Sequence, residues 1–95
     1  MTFLATAPPP SRSAWRLRLF DLATYHGWQC HLLEAEWGPD LAIVRPPHVL
    51  WIFAEPNRGR LSLPRRDHLA ALRRCGAWYA VWHPNDAPKI ERTLA

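Results

Sequence analysis

A chain of 95 residues holds one domain with one modest core. An apolar share of 48% that includes six Trp excludes a disordered chain, and no apolar run is long enough for a membrane-spanning helix. The formal charge of +4, carried by eleven Arg and one Lys, permits a polyanionic partner without requiring one.

The N-terminal stretch "MTFLATAPPPSRS" lacks the basic start and the apolar length of a signal peptide. Residues 1–12 therefore read as a flexible, proline-rich lead, and residues 13–95 as the domain, in a cytoplasmic protein. A helix from Ser13 to His26 follows, with Trp15, Leu19, Leu22 and His26 on one face and Gly27 as its stop. Residues 28–34, "WQCHLLE", alternate as a strand does. "EWGPD" turns the chain into a second strand, residues 40–44, and "RPPH" is a tight connection. The third strand, residues 49–55, is apolar up to Glu55, the pattern of a central strand covered on both faces.

After the loop "PNRGR", Ser62 caps a helix running through Cys75. Leu69 and Leu72 face inward there, while Arg65, Arg66, Arg73 and Arg74 cover the outer surface. "AWYAVW" is a fourth strand, with Trp78 and Trp82 on one face as core or dimer contacts, and a short helix spans Ala87 to Leu94. The order is α-β-β-β-α-β-α, an α+β domain with a mixed four-stranded sheet. Cys30 and Cys75 read as free, buried thiols, since none of the paired spacings of zinc sites is present among Cys30, His31, Cys75 and His83.

Chemistry enters with two acids. Asp40 opens one strand and Glu55 closes its hairpin partner, at the ends away from the tight turn, so the two carboxylates should come together. Converging carboxylates can hold Mg²⁺ or Mn²⁺ together with water and a phosphate oxygen. The plainer alternative makes Asp40 a turn residue and Glu55 a solvated strand end.

The segments "LATYHGWQCH", "GPDLAIVRPPHVLW", "RGRLS" and "AVWHPND" resemble, over about Phe20 to Leu94, the VRR-NUC family of the PD-(D/E)XK nuclease superfamily. The resemblance implies a PD-(D/E)XK core, a metal-dependent endonuclease acting on DNA, and a homodimer. In that family a motif Asp is followed by Glu-x-Lys on the next strand. Asp40 matches the first acid. Counting without gaps from Asp40 places Phe53 at the motif Glu and Glu55 at the motif Lys. The other register, with two residues inserted before Glu55 and two removed after it, places Glu55 on the Glu and Asn57 on the Lys. In either register the Lys is absent, and the glutamine that often opens the crossover helix is matched by Arg65.

Catalysis and Mg²⁺ or Mn²⁺ binding are thus assigned to Asp40 and Glu55, with His31, Phe53 and Asn57 beside the site. DNA contact is assigned to Arg58, Arg60, Arg65 and Arg66. Losing a group that stabilises transition-state charge costs on the order of 10²–10³-fold in rate. A non-catalytic module binding DNA or a protein on the same fold is therefore the alternative expectation.

Overall fold

The computed structural model describes residues 11–57 and 61–95. Helix α1 (Arg12–Tyr25) is followed by strands β1 (Gln29–Leu32), β2 (Leu41–Arg45) and β3 (His48–Ala54). Helix α2 (Leu63–Arg74), strand β4 (Tyr79–Trp82) and helix α3 (Ala87–Leu94) complete the chain. The sheet order is β1-β2-β3-β4, antiparallel except for the parallel β3/β4 pair. This is the α+β class with a mixed four-stranded sheet and three helices that the sequence implies.

Local chemistry accounts for the element ends. The hydroxyl of Ser11 accepts the Ala14 N–H at 3.1 Å, so α1 starts at Arg12, inside the stretch read as a flexible lead. Gly27 (φ +87°) and Gly76 (φ +71°) take the left-handed conformation that stops α1 and α2. Ser62 stands at the N-cap of α2, but its side chain makes no capping bond. Strands β1 and β4 are shorter than expected, and Trp78 precedes β4 with its ring stacked on His48.

Side-chain alternation divides the sheet. Leu41, Ile43, Leu50, Ile52 and Ala54 belong to the core built with Trp15, Leu19, Leu22 and Ala23 of α1 and Ile90 and Leu94 of α3. Two indoles tie this core to backbone. Trp15 Nε1 donates to the Trp82 carbonyl at 2.8 Å, and Trp28 Nε1 donates to the Leu94 carbonyl at 2.9 Å.

The opposite face is covered unevenly, which corrects the expectation for β3. Strand β3 is buried on both faces only from Ile52 to Ala54, because α2 lies over that end; Val49 is exposed and Trp51 half-buried. Of the aromatic pair, Trp82 is core at 2% exposure whereas Trp78, just ahead of β4, is 59% exposed. Among the described residues no helix is long and apolar enough to cross a membrane.

Candidate functional site

The antiparallel β2/β3 register, with Leu41 opposite Ile52, brings the residue before β2 alongside the residues that end β3. Asp40 is fixed there by its backbone, its N–H donating to the Ile52 carbonyl at 2.8 Å and its carbonyl accepting the Leu33 N–H at 3.0 Å. Its carboxylate prolongs the ladder. Oδ2 accepts the Ala54 N–H at 2.7 Å, so Asp40 satisfies a β3 donor that β2 no longer reaches. Glu55 follows directly, anchored by its N–H to the Trp82 carbonyl at 3.1 Å.

Asp40 and Glu55 converge, but on a guanidinium. Arg65, in the first turn of α2, donates from Nη2 to Asp40 Oδ2 at 2.5 Å, and its Nη1 lies 3.8 Å from Glu55 Oε2. The second distance is an ion-pair contact, too long for a hydrogen bond. The same guanidinium sits 5.4 Å above the ring of Phe53, within cation–π range. Arg65 Nε is buried and has no hydrogen-bond partner among the described residues. From α1, Arg12 Nε reaches Asp40 Oδ1 at 3.2 Å with its side chain 42% exposed. Asp40 is 1% exposed and Arg65 3%, so a buried ion pair lies at the centre of the network. Among the described residues, two arginines face two carboxylates, so their formal charges balance.

This geometry corrects the placement of Arg65. Its expected position on the outer surface fails because the buried Asp40 carboxylate requires a cation and α2 delivers this side chain to it, beside the partly exposed Glu55. Arg66, Arg73 and Arg74 are exposed as expected. Phe53 is fully buried beneath the guanidinium, and Asn57 is exposed at the rim, its carbonyl 2.8 Å from His83 Nδ1. His31 is exposed on β1, paired with Ala42, and does not line the pocket at the cluster. Arg58 and Arg60 lie outside the described residues.

The pocket has a volume of about 330 Å³ and adds Trp37, Ser62 and Arg12 to Glu55, Asn57 and Arg65. Trp37 and Arg12 carried no readable signal in the sequence, since one sits in a loop and the other at the edge of the proline-rich lead. Arg65 did carry one, as an arginine where the resemblance places glutamine.

A divalent ion does not fit the residues as they stand. Mg²⁺ needs carboxylate oxygens at about 2.0–2.1 Å in octahedral array. Here both oxygens of Asp40 are engaged by cationic or backbone donors, and Arg65 fills the space between the acids. Among the described residues no group of three or more His, Cys, Asp or Glu side chains is placed to hold a metal. No family model, curated protein or solved structure matches the chain.

Proposed function

We propose that this chain is a VRR-NUC-like, PD-(D/E)XK-type fold that binds DNA without hydrolysing it, with Arg65 standing where a catalytic metal would be held. The observation that carries this reading is the single guanidinium bridging Asp40 and Glu55. A fixed guanidinium supplies positive charge to buried carboxylates but offers no exchangeable coordination position, so it cannot deliver an activated water to a phosphodiester. The missing motif Lys removes the other group expected to assist that water.

DNA contact is assigned to exposed arginines outside the neutral cluster. Arg66, Arg73 and Arg74 are seven and eight residues apart on α2 and therefore share one side of it. Three phosphate contacts give a salt slope near −2.7, which lowers affinity roughly 40-fold between 50 and 200 mM salt. Arg65 supports this role indirectly, by fixing the start of α2.

Fluorescence anisotropy with duplex, single-stranded and branched DNA, alongside a cleavage assay in Mg²⁺ and Mn²⁺, tests the proposal. The expected result is salt-sensitive binding, weakened by Arg66→Ala with Arg74→Ala, and uncleaved DNA. Metal-dependent cleavage abolished by Glu55→Gln would restore the hydrolase reading. Binding indifferent to salt and to those arginines would remove DNA as the partner.

A further inference from the structure

The pocket beside the arginine cluster carries two groups that the cluster leaves unused. Glu55 meets Arg65 only at 3.8 Å, too far for a hydrogen bond, and among the described residues its carboxylate accepts no other. Its side chain is 18% exposed on the wall of the pocket of about 330 Å³. Trp37 lines the same pocket from the loop between β1 and β2 and stands outside the core, 44% exposed. The indoles of Trp15 and Trp28 each donate to a backbone carbonyl, whereas that of Trp37 donates to no described residue.

An aromatic face beside an unengaged carboxylate is suited to a nucleobase. The ring gives the base a surface to stack on, and the carboxylate accepts hydrogen bonds from its edge. The volume lies at the lower end of the range of about 300–1,000 Å³ for small-molecule sites, which suits one base and not a base pair.

The pattern of donors on the edge decides which base. A carboxylate only accepts. On its pairing edge guanine sets two donors side by side, N1–H and the N2 amino group, and one carboxylate can take both. Adenine and cytosine each set an acceptor nitrogen next to a single amino group, and thymine flanks its N3–H with two carbonyl oxygens. Each of these turns a lone pair toward Glu55. The guanine O6 beside the two donors needs a donor in return. Asn57 and Ser62 on the same wall supply an amide and a hydroxyl, and the Ser62 hydroxyl makes no capping bond with α2.

We propose that this pocket binds an unpaired guanine, stacked on Trp37 and donating N1–H and its amino group to Glu55. In a duplex that edge is taken by cytosine, so only an unpaired base presents it. The source of the base rests on the DNA-binding reading: a guanine in a single-stranded or frayed stretch, with half-exposed Arg12 on the pocket wall to meet an attached phosphate. A free guanine nucleotide presents the same edge, and the two sources are separable by experiment.

Competition anisotropy on the full 95-residue chain compares oligothymidine strands carrying one central guanine, hypoxanthine, adenine or cytosine. The guanine strand should bind roughly 10-fold tighter than the adenine, cytosine and all-thymine strands. Hypoxanthine lacks the N2 amino group and should lose most of that gain, and annealing each strand to its complement should erase the differences. Trp37→Ala should weaken the guanine strand by at least about 5-fold. Glu55→Gln should level the bases, because a carboxamide turns a donor toward the two donors of guanine. Far-UV circular dichroism checks that both variants are folded. Guanosine monophosphate, and not adenosine monophosphate, should quench the tryptophan fluorescence of the native chain but not of Trp37→Ala.

Equal binding of all bases with no such quenching would overturn the guanine pocket; salt-sensitive binding through Arg66 and Arg74 would then leave the DNA reading intact. Guanine-specific quenching without a guanine preference in DNA would sustain the pocket and assign it to a free nucleotide. A guanine preference that survives in both Trp37→Ala and Glu55→Gln would place recognition elsewhere and overturn the proposal.

Discussion

Replacing Arg65 with alanine removes the cation that Asp40 and Glu55 share. Breaking a buried pair from one side costs about 3–5 kcal/mol, because the remaining charge stays desolvated. Asp40, 1% exposed, keeps the Ala54 N–H and the half-exposed Arg12, so the lower end, about 3 kcal/mol, is expected. A domain of this length has roughly 5–14 kcal/mol of total stability, so the loss is a large share of it.

At about 4–8 °C per kcal/mol, the melting temperature should fall by roughly 12–24 °C. Urea unfolding followed by the fluorescence of the six Trp measures the change directly. In Arg65→Ala, adding Asp40→Asn should cost much less than it does in the native chain, the signature of two coupled charges. Mn²⁺ should also stabilise Arg65→Ala, by about 1.4 kcal/mol at ten times its dissociation constant, because a cation can then sit between the two acids. Loss of less than about 0.5 kcal/mol in Arg65→Ala would refute the reasoning, since only a solvated surface arginine is that dispensable. Equal Mn²⁺ stabilisation of native and variant protein would refute the idea that the guanidinium occupies the cation's place.

Arg45→Ala should loosen the end of α3, because Arg45 donates to the carbonyls of His26, Leu94 and Ala95 and lies 4.3 Å from the centre of the Trp28 ring. A loss of about 1–2 kcal/mol is expected, with faster amide exchange in residues 90–95. Gly38→Ala would place its Cβ 2.9 Å from the Ala35 Cβ, forcing the loop before Asp40 to shift, while His68 Nδ1 on α2, at 3.6 Å, stays at ordinary contact distance. It should cost roughly 1–3 kcal/mol by urea unfolding, and a neutral effect would mean that the loop gives way freely.

Burial raises the Cys30 thiol pKa above its ordinary value of 9.0, with the Thr24 hydrogen bond opposing the shift. Between the unfolded and folded values the unfolded chain binds fewer protons at this site. The site's contribution is thus fully present below about pH 9 and is lost as pH rises through the folded value. Cys75, expected to be buried, is exposed just after α2, and Cys30 is only partly buried, so thiol labelling near neutral pH should modify Cys75 first; comparable rates for the two would contradict the partial burial of Cys30.

The chain order of helices and strands was legible in the sequence because each element carries its own signal. Trp15, Leu19 and Leu22 recur at helical spacing, Gly27 and Gly76 take conformations that stop helices, and "RPPH" permits only a tight connection. These are local properties, set by periodicity and backbone sterics. The approach of Asp40 to Glu55 was also legible, since a hairpin fixes which strand ends are neighbours.

What occupies the space between those acids is a tertiary fact. Arg65 lies on the charged stripe of a short helix, and although the resemblance marks its position, local periodicity and charge do not separate it from Arg66, which remains in water. Only the packing of α2 over Phe53 turns one of these two arginines into a buried counter-ion, because a desolvated carboxylate takes whichever cation the fold brings within reach. The exposure of Trp78 against the burial of Trp82 has the same origin. The two residues share strand periodicity and chemistry, but Trp82 ends β4 inside the core, where its carbonyl takes the Trp15 indole N–H, and Trp78 precedes β4, stacked on His48.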